Sequence, residues 1–556
     1  MKKTLLFFLF SATVFAQNTN ILPNRLDFAQ RTYSQILTIP SPQKGSTCYD
    51  TDNNCLRIYD GSVWRTTAAT ASAGFNDATG CCKGLMNAYA LTGPSSLTYI
   101  VSFTQSATFN DELFEVGFCP GHPMGSLTYQ LGSFPITVGT GSWGFISKYD
   151  ANGNTLWAKG IGTVSGVGSP YNVKINAIKA NSSGVYVIGT FDNTVTIATP
   201  TPTTLTSAGL SDIFIAKLDL AGNFVWAKQF GGAGYDDGVD LTFGEAGNLY
   251  FTGYESGMTG AYCVPATTNT DVFVGKLSLT TGDVVVANAG VITDAPAVGQ
   301  NEIVKSILFY DNKVLVVGGF NSTITPSSVF TGCVGIAGTT ALTAVGRGIY
   351  IIGYDINLVP VNTYKIAYSG DDATDNLNLF RATLESGFSS GTYAPKLKIC
   401  TNPVGTFPLG GKTISGGGII LTLNLNGASL PTINEVLTLQ GADFTGFGDG
   451  YAVGRCTAAS SSINSSATFG GAIGKNFLLS TNLAGNLNWV ITSTNYINPS
   501  GVTGNQNTTT VSKLCGKVFA AGNLGGGVQL CNSTLDPDIR KWGFFWQYND
   551  CGSCCN

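Results

Sequence analysis

The sequence holds a single histidine, His122, among 556 residues. That excludes any site built on two histidines and makes a Ser-His-Asp triad depend on this one side chain. It lies in a Cys-Pro-Gly-His-Pro run that reads as a rigid surface turn. Charge is scarce too. Asp, Glu, Lys and Arg make up 11% of the chain, the net charge is −4, and no basic run is present. Nothing is available to neutralise a row of phosphates, so nucleic acid is not an expected partner. Beyond the N-terminus no stretch reaches the roughly eighteen apolar residues of a membrane helix. No long stretch carries the 3.6-residue apolar period of an amphipathic helix. No GK[ST] follows glycine pairs such as Gly231-Gly232, so there is no phosphate loop. The reading therefore calls for no cofactor, no metal and no membrane insertion.

What is present points to β structure and export. Gly contributes 71 residues, and Thr, Asn, Ser and Val are frequent. Lys2 and Lys3 precede an apolar run, Leu5 to Phe10, that continues through Val14-Phe15-Ala16. A basic start, a short apolar core and a small final residue form a signal-peptide pattern, so residues 1–16 are expected to be a leader. A secreted, extracellular or cell-surface location is expected, with the periplasm as the alternative. In such a compartment the fourteen cysteines read first as disulfides.

Internal repetition sets the fold. The clearest unit starts at Asp212: DIFIAKLDLAGNFVWAKQFGGAGYDDGVDLTFGEAGNLYFTGY. Parts of it recur as WGFISKYDANGNTLWAKGIG from Trp143, GVYVIGTF from Gly184, DVFVGKLSLTTGDVVVA from Asp271 and NKVLVVGGF from Asn312. Each unit has four short alternating runs, separated by turns such as Asp-Ala-Asn-Gly-Asn at Asp150 and Asp-Leu-Ala-Gly-Asn at Asp219. Four antiparallel strands per unit read as the blade of a β-propeller. In the clearest unit strand a is GVDLTF from Gly238, b is NLYFTGY, c is DVFVGKL, and d lies near Val284. Blade one starts at Leu97. Counting b strands gives seven blades, with six or eight as alternatives. The last c strand, from Trp542, has no d strand after it, and LMNAYALTG from Leu85 is a d strand without a blade. The N-terminal strand is therefore expected to complete the last blade and close the ring, which removes open edges. The unit resembles the SBBP-type β-propeller repeat of secreted bacterial proteins, a resemblance that implies a fold and no activity.

The cysteines are expected to reinforce closure. Cys81 and Cys82 precede the orphan strand, and Cys551, Cys554 and Cys555 follow the last c strand, so a disulfide between the clusters would clip the ring. The four-cysteine zinc reading is disfavoured by export and by the adjacent-Cys pairs. Residues 17–80 read as a separate extension, and 81–556 as the propeller. GSTCYDTDNNCLRIYDGSVW from Gly45 is a hairpin across which Cys48 and Cys55 can pair. It fails as an EF-hand, because Cys55 stands where Gly is required and Gly61 where a bidentate Glu belongs. This run resembles a short module near the start of Bacteroidetes surface and fibre proteins.

For chemistry, the visible carboxylate pairs are Asp236-Asp237 and Asp371-Asp372. Both sit at one repeat position, which favours capping of the turn into strand a over hydrolysis. Trp157, Trp226 and Trp489 share one d-strand position and are expected to fill contacts between blades. Trp143, Tyr254, Tyr262 and Phe330, at or beyond strand ends, are the better binding candidates. The b–c connections, including 119–142, 192–211, 255–270, 320–346 and 523–541, are long and share one face of the disc, where binding is expected. The function expected is a non-catalytic binding or scaffold protein of the cell envelope or surface that recognises a protein or glycan. The rivals are a structural subunit of an extracellular fibre or appendage, able to enter a larger assembly, and a carbohydrate-active enzyme.

Overall fold

The computed structural model describes most of residues 101–492, strands at 85–90, 495–497, 507–514, 517–523, 527–530, 533–534 and 543–549, and parts of 30–66. The expected leader, His122, Asp371, Asp372, Cys81, Cys82, Cys551, Cys554 and Cys555 lie outside the described residues. The chain divides into two compact units, Met1–Thr70 and Ala71–Asn556.

In the first unit Thr47–Asp50 and Cys55–Tyr59 form the expected antiparallel hairpin, widened by Trp64–Thr66 and by a parallel strand, Gln30–Arg31. Ile36, Cys48 and Trp64 make its small apolar centre. The hairpin register sets Cys48 opposite Arg57 and Cys55 opposite Asp50. The two cysteines are thus diagonal neighbours across the hairpin, with the Cys48 side chain buried and the Cys55 side chain outside the described residues.

The second unit is all-β with a β-propeller arrangement. Six four-stranded blades are built from consecutive main strands, ordered a to d from the axis outward. The first blade is Ser102–Phe109, Glu112–Cys119, Trp143–Tyr149 and Thr155–Ile161. The second is Val173–Asn181, Gly184–Phe191, Asp212–Leu218 and Phe224–Gly232, and the third Asp237–Phe243, Asn248–Glu255, Asp271–Ser278 and Ala289–Asp294. The fourth is Glu302–Tyr310, Lys313–Phe320, Gly348–Asp355 and Pro360–Ala367. The fifth is Arg381–Glu385, Lys396–Thr401, Ile419–Asn424 and Thr432–Gln440. The sixth is Ala442–Gly448, Tyr451–Cys456, Asn476–Thr481 and Leu487–Thr492. A further sheet is composite. It contains Asn507–Leu514, Lys517–Asn523 and Gly543–Asn549, and its outer strand is Leu85–Ala90, with Tyr548 opposite Leu85 and Phe544 opposite Ala90. The innermost strands touch in cyclic order, and Asn507–Leu514 lies between those of the sixth and first blades.

Two boundaries differ from the sequence reading. Strand a of the first blade begins at Ser102, and the outer strand of the third blade is Ala289–Asp294. The run at Val284 makes only a single bridge to Leu277, and Val285 donates its N–H to Lys276 O, because the chain is still leaving the c–d turn there.

The repeat letters have physical causes. Strand a carries a β-bulge in five of the six consecutive blades and in the composite sheet, at Thr104, Asn176, Val239, Lys305, Thr445 and Thr509. A bulge pushes a carbonyl toward the neighbouring strand, and glycine in strand b makes room for it. A Cβ at Gly189 would sit 2.1 Å from Lys174 O, at Gly253 2.1 Å from Asp237 O, and at Gly318 2.0 Å from Ile303 O.

At the c–d turn Asp219 accepts hydrogen bonds from Asn223 N and Nδ2, and Gly222 takes a positive φ of 88°. Asp150 and Asn154 repeat this, with Gly153 at 84°. The apolar core lies between blades. One cluster joins Phe114 and Trp157 to Val185 and Phe214, and another joins Phe103 and Phe145 to Phe519 of the composite sheet.

Neighbouring blades are tied at two radii. At the rim, the lysine of strand c reaches into the next blade's c–d turn. Lys148 donates to Leu220 O (2.9 Å), Lys217 to Leu279 O (3.1 Å) and Lys276 to Ile356 O (3.0 Å). Near the axis, the bulge residue donates to the carbonyl just before the next bulge. Thr104 binds Ile175 O (2.6 Å), Asn176 binds Gly238 O (2.7 Å), and Thr509 binds Phe103 O (2.7 Å).

Candidate functional site

Most of the residues singled out from sequence hold the scaffold together. Asp236 is buried and accepts the N–H groups of Gly232 and Ser256, each at 2.8 Å, so it caps the turn into strand a. Burial raises its carboxyl above the usual range, against the pull of those two bonds. Asp237 accepts from Asn176 Nδ2 at 2.8 Å and from the Thr190 hydroxyl. Tyr254 accepts from Val304 N (2.9 Å) and donates to Val304 O (3.2 Å) in the next blade. Tyr262 is 1% exposed, bonded to both backbone groups of Lys276 and packed on Phe230, Phe251 and Phe273. Trp143 covers Gly160 and Gly162, where a Cβ would collide with its ring. Phe330 ends strand Thr323–Phe330, and its side chain is outside the described residues. Tyr254 and Tyr262, strand-end aromatics, serve the packing of the blades through these hydrogen bonds and ring contacts.

The tryptophans of strand d do lie between blades. Trp157 donates to Leu220 O at 3.2 Å and packs on Gly222 of the next blade. Trp226 packs on Gly282 in the same way.

Beside Asp236, the buried carboxylates Asp212, Glu255 and Asp271 gather where the second and third blades meet. Glu255 accepts the N–H groups of Gly257 and Met258, and burial lifts its carboxyl to about 7. Among the described residues no group of His, Cys, Asp and Glu has a metal-holding arrangement.

Where they are described, the long b–c connections carry strands of their own. Leu127–Leu131 pairs with Phe134–Val138, Thr194–Ile197 with Thr203–Thr206, and Thr406–Leu409 with Lys412–Ser415. In the second of these, Val195, Ile197 and Leu205 face the core, while Thr194, Thr196, Thr204 and Thr206 are exposed in hydroxyl pairs of 3.1 and 3.3 Å. Other insertions add a strand to the blade before them. Met258 pairs with Gly232, Thr323–Phe330 with Ala289–Asp294, and Ile463 with Leu439. Insertions therefore clamp neighbouring blades. On the same side, Leu210 and Tyr235 are 52% and 66% exposed, and Leu210 N bonds Gly234 O.

A concavity on the axis was absent from the sequence reading. A cavity of about 290 Å³ is lined by inner-strand residues. Arg381 spans it to donate to Thr104 O on the wall contributed by the first blade. Gln105 crosses to Asp240 Oδ1 (3.3 Å) and accepts from Ile178 N (2.6 Å), while Asp240 Oδ2 accepts from Ile307 N (3.2 Å). These groups form a floor. Ser106, Ser306, Thr383, Thr510 and Ser512 line the cavity as well, with the Ser106 and Ser512 hydroxyls bonded to each other and Thr510 bonded to Glu115, and Lys179, Phe243 and Asp449 lie toward the a–b turns. The available signal was polar residues in mid-strand on the innermost strands, but only register shows that they converge.

A scan against family models finds no match, and no curated protein matches. The SBBP-type and Bacteroidetes resemblances thus rest on the quoted residues. Among solved structures, the polysaccharide lyase Uly1 is similar at 10% identity, covering 82% of this chain and 91% of its own, with a TM-score of 0.35. A Pyrococcus horikoshii acylaminoacyl peptidase is 8% identical over 77% of this chain and 58% of its own, with a TM-score of 0.27. A puromycin hydrolase is 8% identical over 54% and 58%, with a TM-score of 0.16.

Proposed function

We propose that this chain is an exported, non-catalytic binding scaffold of the cell envelope or surface, and that it holds a protein partner on the face carrying the b–c insertions. The carrying observation is that these insertions are anchored hairpins and added strands. A surface fixed before binding loses little conformational freedom when a partner docks. Leu210 and Tyr235, exposed together on that side, supply the apolar contact that protein interfaces centre on. The threonine pairs 194/206 and 196/204 supply hydrogen-bonding groups around it.

The same reading takes the composite sheet as the seventh blade, closing one ring by its N-terminal strand. The pairing of Leu85–Ala90 with Gly543–Asn549 and the bond from Thr509 to Phe103 support it. Export rests on the Lys2–Ala16 pattern.

The test is capture of envelope proteins from native cells by the tagged mature chain, with electron microscopy of the eluate. A discrete partner supports the proposal. Filaments built from this chain would favour the appendage subunit instead.

A further inference from the structure

We propose that the axial mouth on the insertion face binds one carboxylate group, presented by the docked protein, on Lys305. The inference rests on the protein-binding reading above and names the chemistry that the partner brings to the centre of the blades.

The mouth is built from the first residues of the innermost strands, which begin on the insertion side. Lys174 and Asp237 stand near the strand starts of the second and third blades, Lys305 at the bulge of the fourth, and Arg381 at the start of the fifth. Hydrogen bonds bring them to one level. Ser306 Oγ accepts from Ala382 N (2.9 Å), which sets Lys305 beside Arg381. Arg381 crosses the axis to Thr104 O, and the Thr104 hydroxyl donates to Ile175 O, next to Lys174. Asn176 in turn donates to Asp237 Oδ1 at 2.8 Å. The charges of Arg381, Asp237 and Lys174, from three other blades, all act on Lys305, which places its ammonium toward the axis.

Charge selects the ligand. Three cations, Lys174, Lys305 and Arg381, face two carboxylates, Asp237 and Asp240, and leave one positive charge in excess. Asp237 already accepts from Asn176 and Thr190, and Asp240 from Gln105 and Ile307 N. Asp443 and Arg455 stand opposite each other in the sixth blade and cancel.

The decisive detail is Lys305 itself. It is half-buried, and among the described residues its ammonium has no hydrogen-bond acceptor and no ion-pair partner. Burial, then Arg381 and Lys174, hold it below the ordinary lysine range against the pull of Asp237. An ammonium partly withdrawn from water beside two like charges is costly, and an arriving carboxylate offsets that cost. It carries the one missing charge and accepts the hydrogen bonds that the ammonium has to give. The mouth opens on the side where Leu210 and Tyr235 are exposed, so one partner can reach both.

The experiment is NMR of the mature protein with its lysines 13C-dimethylated, a change that keeps their charge. Sodium acetate replaces sodium chloride at constant ionic strength, and Lys305→Arg identifies the Lys305 signal by its loss. Capture of envelope proteins is measured in parallel for unmodified wild type, Lys305→Met, Lys305→Arg and the Leu210→Asp, Tyr235→Asp double variant. The expected result is a saturable acetate shift of the Lys305 signal. Capture should weaken about tenfold in Lys305→Met, the worth of a hydrogen bond between charged groups, and persist in Lys305→Arg. The melting temperature of Lys305→Met should hold or rise, because an unpaired ammonium is removed, whereas loss of a merely structural lysine would lower it. The double variant should lose capture and keep the acetate shift, so the two readings fail separately. Absence of a saturable shift, or equal capture by Lys305→Met, overturns the proposal. Capture absent even from wild type sinks the protein-binding reading, and an acetate shift that remains then assigns the site to a free anion.

Discussion

The Thr509 hydroxyl donates to the carbonyl of Phe103 at 2.7 Å, joining chain positions 406 residues apart. Ser106 and Ser512 meet at 2.6 Å in the same seam, and Thr510 bonds the buried carboxyl of Glu115. If Leu85–Ala90 completes the composite sheet beside this seam, deleting residues 81–92 leaves its outer strand unpaired and exposes an edge. Size-exclusion chromatography should then show aggregation. A soluble deletion variant with a single cooperative melt would contradict ring closure.

Gly253→Ala should lower stability by about 3 kcal/mol, because its Cβ would meet Asp237 O at 2.1 Å and the bulge cannot retreat. Gly353→Ala is the control, since its nearest neighbour would be 3.5 Å away. Similar melting shifts in the two variants would show that the strand-b glycine does not seat the bulge.

Trp226→Ala should cost roughly 3–5 kcal/mol by emptying a contact between blades. The phenylalanine variants separate packing from hydrogen bonding. Trp226 Nε1 is buried without an acceptor, whereas Trp157 Nε1 donates to Leu220 O. Denaturant titration should therefore find Trp157→Phe costlier than Trp226→Phe. The reverse order would refute that distinction.

Glu255 sets a pH dependence. Its carboxyl is raised to about 7 by burial, so the folded state holds a proton that the unfolded chain releases near its ordinary value of about 4.3. The stability it contributes is fully present below the unfolded value and is lost as pH rises through about 7. Glu115, Asp212 and Asp236 are raised too and add slopes of the same sign. Thermal melts should fall from about pH 5 to 8, and Glu255→Gln should flatten part of that fall. A glutamine variant with the wild-type slope would show that Glu255 is ionised throughout.

Much of the fold was legible because local chemistry repeats. The Asp-x-x-Gly-Asn turns at Asp150 and Asp219, the b strands ending near Gly189 and Gly253, and the unpartnered strand at Leu85 all signal their place in the chain. The role of the lysine in ISKYD, IAKLD and VGKLS was not legible. It acts on a carbonyl of the next blade, and sequence alignment within one repeat gives no neighbour. The insertions misled for a related reason. Thr, Ser and Gly read as loop, yet the alternation Thr194, Val195, Thr196, Ile197 is that of a strand with one buried face. Cys119 and Cys400 are buried thiols in strand b, packed as small apolar groups.

The insertion face is the central claim, and one comparison tests it most directly. Partner capture by Tyr235→Asp combined with Leu210→Asp is measured against wild type, with melting temperature as a control. Both side chains are largely exposed, so stability should change by only about half a kcal/mol. The account predicts that capture is lost while the melt is unchanged. Capture at full affinity by the double variant would contradict it and move the binding surface to another part of the molecule.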